Sequence, residues 1–453
     1  MNSPHPGSSP PRSRRPDRAE YESGTVPIEC SGWPPATPAD DFPALTNDIE
    51  ADVVVIGAGL AGSSLALHLA ERGVAVALLE AEQPGNGASG RNAGHVQPFL
   101  DKLEPLRSWP GQGALFVEMF IAKRNLAYEL CQKHGIDGDA AQTGMIEAAY
   151  KKQAALEQKA AYWSALGYDV DVVGSERMRE LLGTDVYHYG LHWREGGRVN
   201  PHLLTNGMAR TAARMGARVH GNSPAQRCEK DGQRWRVVTA QGSVRAPKVM
   251  ICTGGHAGNL FFPELAQTQY PMVACALATA PLPPAVLDSI NPTRAALTQF
   301  PTGLYPIVMD GRNRMITATI PHPGKAHAAE TYFSYFLRYL HRTFPQTRGV
   351  PIQMEAYWTG ATASSSHVYH EDYAKLYQVA DGVMALMNLG TWGNVMGPLL
   401  GMHLAQVLAT ERMQDLLIPI EQPATVRFPS LLEFKVRRVM LPAARLADRL
   451  GLA

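Results

Sequence analysis

The sequence predicts an α/β chain, α+β taken whole, in which a parallel-sheet domain built from several separate segments is interleaved with a mixed-sheet domain. Three observations carry this. Residues 51–80 read strand–helix–strand, continuous apolar runs of the same kind return at 249–255 and 382–390, and the long stretches between have a different texture. No internal repeat accounts for the recurrence.

Taken in order, residues 1–24 carry Arg12, Arg14, Arg15 and Arg18 among Pro and Ser. No apolar segment follows them, so the stretch is read as a disordered tail and not as an export signal. Residues 25–50 are Pro-rich and expected to wrap the surface. ADVVVIG (51–57) is a short apolar strand covered on both faces. LAGSSLALHLAERG (60–73) is a helix with Ala61, Leu65 and Leu69 on one side and Gly73 at its stop. VAVALLE (74–80) is a second buried strand, completing a βαβ unit. From 101 to 180 the texture is helical and polar. Residues 201–219 read as a helix feeding a strand, and 234–255 as a hairpin followed by a buried strand. Residues 269–365 are strand-rich, with MITATI (315–320) the best candidate, and 382–390 is a strand followed by a helix to residue 410. The expected division is a tail (1–47), a parallel-sheet domain (48–100, 196–268, 375–415), a second domain (101–195, 269–374) and a helical extension (416–453).

The composition, 45% hydrophobic and 18% charged over 453 residues with a formal net charge of +1, is that of an ordinary globular protein. It gives no bulk electrostatic reason for a nucleic-acid partner. Cys30, Cys131, Cys228, Cys252 and Cys275 are scattered, which suits neither a disulfide framework nor a metal site and fits a reducing, cytoplasmic setting. No window reaches the ~18 apolar residues of a membrane span.

Gly57, Gly59 and Gly62 form G-x-G-x-x-G between the first strand and its helix. The first glycine permits the tight turn, the second lets backbone approach a pyrophosphate, and the third allows close helix–sheet contact. Ala58, Leu60 and Ala61 complete a turn whose helix N-terminus offers free N–H groups to phosphates. Glu80, followed by Ala81, ends the second strand, where a carboxylate accepts ribose hydroxyl protons and repels a 2′-phosphate. The pattern is Rossmann-like.

VVVIGAGLAGSSLALHLAERGVAVALLEAEQPGNGASGRNAG, with Gly62, Ala66 and Gly73 at long-fingerprint spacing, resembles the N-terminal signature of the D-amino acid oxidase-like FAD oxidoreductase superfamily. The resemblance covers residues 48–410 and implies a noncovalent or covalent FAD and oxidation of a C–N bond. It places GASGRNAGHV (87–96) along the ribityl chain and flavin ring. Gly87, Ala88, Ala93 and Gly94 are then small so that backbone can approach. Ser89 and Asn92 face ribityl or phosphate oxygens, and Arg91 neutralises pyrophosphate or carbonyl charge. His95 faces the flavin or the substrate as a group titrating near neutrality, or is structural. VMICTGG (249–255) resembles a second cofactor-contacting strand end through Thr253 and Gly254, and Pro224-Ala225 matches the adenine position. NLGTWGNVMGPLLGMHLA (388–405) resembles the glycine motif whose helix N-terminus meets the flavin edge, through Gly390, Thr391, Gly393, Asn394 and Gly397. Trp392 stands where relatives carry a small residue or histidine; it narrows the pocket, stacks beside the flavin or packs in the core.

Three departures refine the expectation. Arg91 stands where covalent members often have histidine, and no cysteine follows Cys275, so FAD is expected to be noncovalent. Residues 261–324 hold no lysine, which puts oxygen in doubt as acceptor and leaves a quinone or electron carrier beside it. YWTGATASSSHVYHEDY (357–373) holds no arginine to clamp a carboxylate, only His367 and His370, and this favours a small-molecule amine. Two other readings stand beside this one. An NAD(P)H-using flavin reductase would need a second dinucleotide site and often a cysteine pair, which the chain lacks; a non-catalytic, partner-binding flavoprotein is the other. LLEFKVRRVMLPAARLADRLGLA (431–453) is expected to pack on the parent domain, with weak membrane-surface contact as its alternative, because Pro442 interrupts it.

Overall fold

A computed structural model describes residues 31–34, 42–256, 261–301, 303–365, 373–427, 431 and 434–450. The apolar runs do become a parallel core. Val53–Ile56 lies between Val76–Leu79 and Lys248–Ile251, all parallel, within a seven-stranded sheet. Arg218–His220 extends one side; Val383–Met387, Lys375–Ala380 and Ile420–Glu421 extend the other. Every residue of Val53–Ile56 and Val76–Leu79 is buried, as expected for strands covered on both faces. A four-stranded sheet, including the hairpin at 227–238, packs beside it through Val237 and Val244.

The second sheet has eight mixed strands, from Met354–Ser364 at one edge to Val170–Gly174 at the other. Two of its strands, Met145–Ala149 and Val170–Gly174, come from the stretch that looked helical throughout. Met145–Ala149 carries helix formers, yet it is inserted between Ala296–Gln299 and Tyr189–Trp193, and ladder pairing on both sides overrides its local preference. The C-terminal stretch also differs from expectation. Pro442 does not break it: a π-helical turn, Lys435–Met440, leads directly into the helix Leu441–Arg449. The wider turn eases the clash a proline ring makes with the carbonyl four residues back.

Two helices bring distant segments onto the parallel sheet. Leu60–Ala70 is buried along its whole length and crosses Gly393–Thr410 at close range. A Cβ on Gly401 would lie 2.6 Å from Ser64 Cβ and 2.7 Å from the Ala61 carbonyl; one on Gly397 would lie 2.7 Å from Leu60 Cβ. Gly401→Ala is therefore expected to destabilise the FAD-loaded protein by about 1–3 kcal/mol in denaturant titration. At an uncrowded helix position the same change would stabilise by roughly 1 kcal/mol, so the sign alone decides.

Candidate active site

The site forms where the carboxyl ends of the parallel strands meet the second sheet. Gly57 has φ +100°, which only glycine adopts without strain, and its N–H donates to the Leu79 carbonyl at 2.7 Å. A Cβ there would lie 2.7 Å from the Cys252 carbonyl, and one on Gly62 would collide with the Gly57 carbonyl. The turn is thus wedged between two strand ends. Ala58, Leu60 and Ala61 are buried, and the N–H groups of Ala58 and Leu60, expected to be free for phosphates, are taken by side chains of the protein itself. Glu80 accepts the Ala58 N–H at 2.7 Å and the Glu82 N–H at 3.2 Å. Burial pushes its carboxyl above the usual range. Ser89 Oγ accepts the Leu60 N–H at 2.9 Å, which ties residues 87–96 to the helix N-terminus. The Thr253 hydroxyl is buried with no hydrogen-bond partner, and Gly254 beside it, at φ +54°, opens on free space.

Residues 87–96 begin with a short 3-10 turn, Ala88–Gly90, and are then fastened from four directions. Asn92 and Asn394 exchange amide hydrogen bonds, Asn92 Nδ2 donating to Asn394 Oδ1 (3.1 Å) and Asn394 Nδ2 to Asn92 Oδ1 (2.9 Å). Asn394 Nδ2 also donates to the His95 carbonyl, and Asn92 Oδ1 accepts the Gly94 N–H. Residues 302 apart in sequence are joined there, at the N-terminus of Gly393–Thr410. Arg91 does not lie free: its Nε donates to the Asn86 carbonyl at 2.7 Å and its Nη1 to Thr359 at 3.3 Å, bracing the strand Met354–Ser364. Ala93 and Gly87 are half-buried, and His256 Nε2 lies 3.7 Å from where a Gly87 Cβ would be.

The remaining expected residues divide. Gly390 (φ +65°) and Thr391, which is exposed, form the turn before Gly393. Trp392 is buried and stacked on Tyr373, ring centroids 5.9 Å apart. Gly397 has the helix-packing task described above. Ala225 is half-buried against the core that holds Val54, Ile56 and Val237, and Ala81 is exposed beyond Glu80. His367 and His370 lie outside the described residues.

His95 pairs with Arg198 in a two-residue ladder, and its Nε2 faces the Leu297 carbonyl at 3.4 Å. Desolvation pushes the ring down to about 4, so it is neutral at pH 7. The unfolded chain protonates near 6.5 while the folded one does not. Stability should therefore fall as pH drops from 6.5 toward 4, with His95 contributing at most about 3 kcal/mol of that loss. His192 and His403 are pushed equally low, so the check is the difference between His95→Gln and the parent in melting temperature across that window: the variant's profile should be flatter.

Sequence reasoning missed four residues that shape the site or its supporting helices. Trp33 is fully buried, and its Nε1 donates to the Asn92 carbonyl at 2.8 Å. Ser31 Oγ donates to the Gly90 carbonyl at 2.6 Å and Trp358 Nε1 to the Arg91 carbonyl at 2.8 Å. Three successive loop carbonyls are thus held from outside by two separate segments. Gly401 is the fourth. The signal for Trp33 was present: a tryptophan amid glycine and prolines in SGWPP has no local structure to shelter it, so burial had to come from elsewhere.

Known proteins resemble the chain in sequence and in fold. The family model described as FAD dependent oxidoreductase matches residues 52–407. The chain is 28% identical over 326 residues to γ-glutamylputrescine oxidoreductase of Escherichia coli K12, covering 70% of this chain and 75% of that one. It is 29% identical over 303 residues to the probable oxidoreductase OrdL of Rhizobium meliloti, covering 63% and 69%. Among solved structures, glycine oxidase from Bacillus cereus superposes with a TM-score of 0.65 at 20% identity, over 81% of this chain and 97% of that one. L-amino acid deaminase from Proteus myxofaciens gives 0.67 at 16%, over 84% and 94%. Those two likenesses show the shared fold.

Proposed function

The chain belongs to the FAD-dependent oxidoreductase family, and from that premise we propose that it oxidises a C–N bond of an amine or amino-acid-like substrate to an imine, which water then hydrolyses. When bound, FAD would supply the two-electron acceptor for the hydride equivalent lost from the substrate's α-carbon. The residues present fit this group. A Cβ at Gly57, Gly59 or Gly62 would strike the Cys252 carbonyl, Ser89 Oγ or the Gly57 carbonyl, so the turn 57–62 can only be bare backbone; Glu80 puts a carboxylate at the strand end, and Thr253 offers a buried hydroxyl in want of a partner. We assign Gly57, Gly59 and Gly62 to the pyrophosphate, Glu80 to the ribose, and residues 87–94 with Gly390, Gly393 and Asn394 to the flavin side.

The observation that carries the reading is the Asn92–Asn394 exchange. It closes the glycine loop onto a helix N-terminus, whose N–H groups and dipole favour developing negative charge. The chain's residues otherwise orient and enclose. His95, neutral, adds no positive charge against a substrate nitrogen, and Trp392 with Tyr373 forms a wall. The names of the relatives support the substrate class, one carrying an amine and two of the solved structures carrying amino acids. FAD is read as noncovalent, with oxygen or a quinone-type carrier as acceptor.

Anaerobic titration of the yellow protein with amines and amino acids tests this. One compound should bleach the flavin, and admitting air should restore the colour, quickly for an oxidase and slowly for a dehydrogenase. A panel that leaves the flavin oxidised while NAD(P)H bleaches it would overturn the proposal in favour of a reductase.

A further inference from the structure

The last helical segment turns apolar side chains in two directions. On its inner side Val436 packs with Tyr270 and Met272, and Leu441 joins them. Arg437 Nη1 donates to the Pro321 carbonyl at 2.9 Å, and Arg445 meets His322 Nε2 at 3.0 Å. These contacts suffice to seat the segment on the second domain. The outer side is just as apolar. Leu431, Phe434, Val439, Leu446 and Leu450 are each more than half exposed. They run the length of the segment, Leu431 and Phe434 before the π-helical turn, Val439 within it, and Leu446 and Leu450 after it. Of the ten large hydrophobic side chains exposed among the described residues, six lie between 431 and 450. Nothing in folding this chain calls for such a surface.

We propose that this outer side docks on an anionic lipid surface, the helix lying in the plane of the interface. Charge decides between a bilayer and other occupants. Residues 431–450 hold Lys435, Arg437, Arg438, Arg445 and Arg449 against Glu433 and Asp448; Arg437 and Arg445 are turned inward, and Lys435 and Arg438 are the exposed cations among the outer apolar side chains. Lys325 is exposed nearby; burial, then the charges of Arg445, Lys325 and Arg438, hold His322 below its usual range. Apolar side chains beside the exposed Lys435 and Arg438, with Lys325 nearby, match lipid tails beneath anionic headgroups, whereas a second copy would bring like charge against like. Among the described residues no helix is long and apolar enough to cross a membrane, so the contact is with the surface. The inference is independent of the proposed reaction.

The test is flotation of the FAD-loaded protein with vesicles of phosphatidylcholine alone or mixed with phosphatidylserine at roughly 7:3. Binding should require phosphatidylserine and weaken as salt is raised. The double variant Phe434→Asp, Leu446→Asp should reduce the bound fraction by about tenfold or more, and Lys435→Glu with Arg438→Glu should abolish the dependence on phosphatidylserine. All four side chains are exposed, so flavin content and melting temperature should stay unchanged and report that the variants fold. Absence of vesicle binding, or binding that neither variant alters, would overturn the proposal. So would light scattering that shows a dimer which the double aspartate variant converts to a monomer, since the occupant would then be a second copy.

Discussion

Trp33→Ala is expected to lose FAD and to lower the melting temperature of the apoprotein as well. The indole is fully buried, and emptying such a site costs roughly 3–5 kcal/mol. The loop suffers twice more: the Asn92 carbonyl loses its donor, and Gly94, where a Cβ would sit 2.6 Å from the ring, loses its backing. The neighbouring Gly32 carbonyl, held by the fully buried Arg314 at 3.2 Å, keeps the segment itself in place. Trp33→Phe separates packing from hydrogen bonding. It fills most of the volume but leaves the Asn92 carbonyl unsatisfied, at a cost of about 1–3 kcal/mol. If that cost falls on the loop, FAD should bind about tenfold to a hundredfold more weakly. Flavin fluorescence titration of the apoprotein measures the affinity, and its thermal melt measures the fold. A phenylalanine variant that binds FAD as tightly as the parent would show that the segment stabilises the fold without positioning the loop.

Asn394→Asp should be more damaging than Asn394→Ala, although it is the smaller change in shape. The Asn394 amide donates to Asn92 Oδ1 and to the His95 carbonyl, both acceptors. A carboxylate there would face two oxygens with no proton to offer, in a position that is 4% exposed. Alanine merely leaves those groups unpaired, costing about 1–3 kcal/mol. Crossing Asn394→Ala with Asn92→Ala should give a coupling of about 0.5–3 kcal/mol in FAD affinity. Near-additive losses would mean that the two amides act separately, and the closure of the loop onto the helix would not matter to the cofactor.

The parts of the fold that local pattern specifies were legible. Val53–Ile56, Leu60–Ala70 and Val76–Leu79 announce themselves because apolar period, helix stop and glycine turn agree over a short range. The site residues that depend on backbone conformation, such as Gly57, were legible for the same reason. Met145–Ala149 was not, because its sequence fits a helix and only the strands on either side decide otherwise. Nor was the packing task of Gly397 and Gly401, since a glycine that admits a neighbouring helix looks in sequence like one that admits a ligand.

By itself, then, the sequence determined the βαβ unit, the glycine turn with its carboxylate at Glu80, and the small-residue loop that resembles a flavin-binding segment. These follow from steric limits within a few residues of one another. The tertiary structure alone decided that Asn92 meets Asn394, that Trp33 and Trp358 grip the loop from behind, and that one face of the last helix stays bare. Such contacts join residues that can be hundreds of positions apart, and their energies exist only once folding has already supplied the entropy cost of bringing them together.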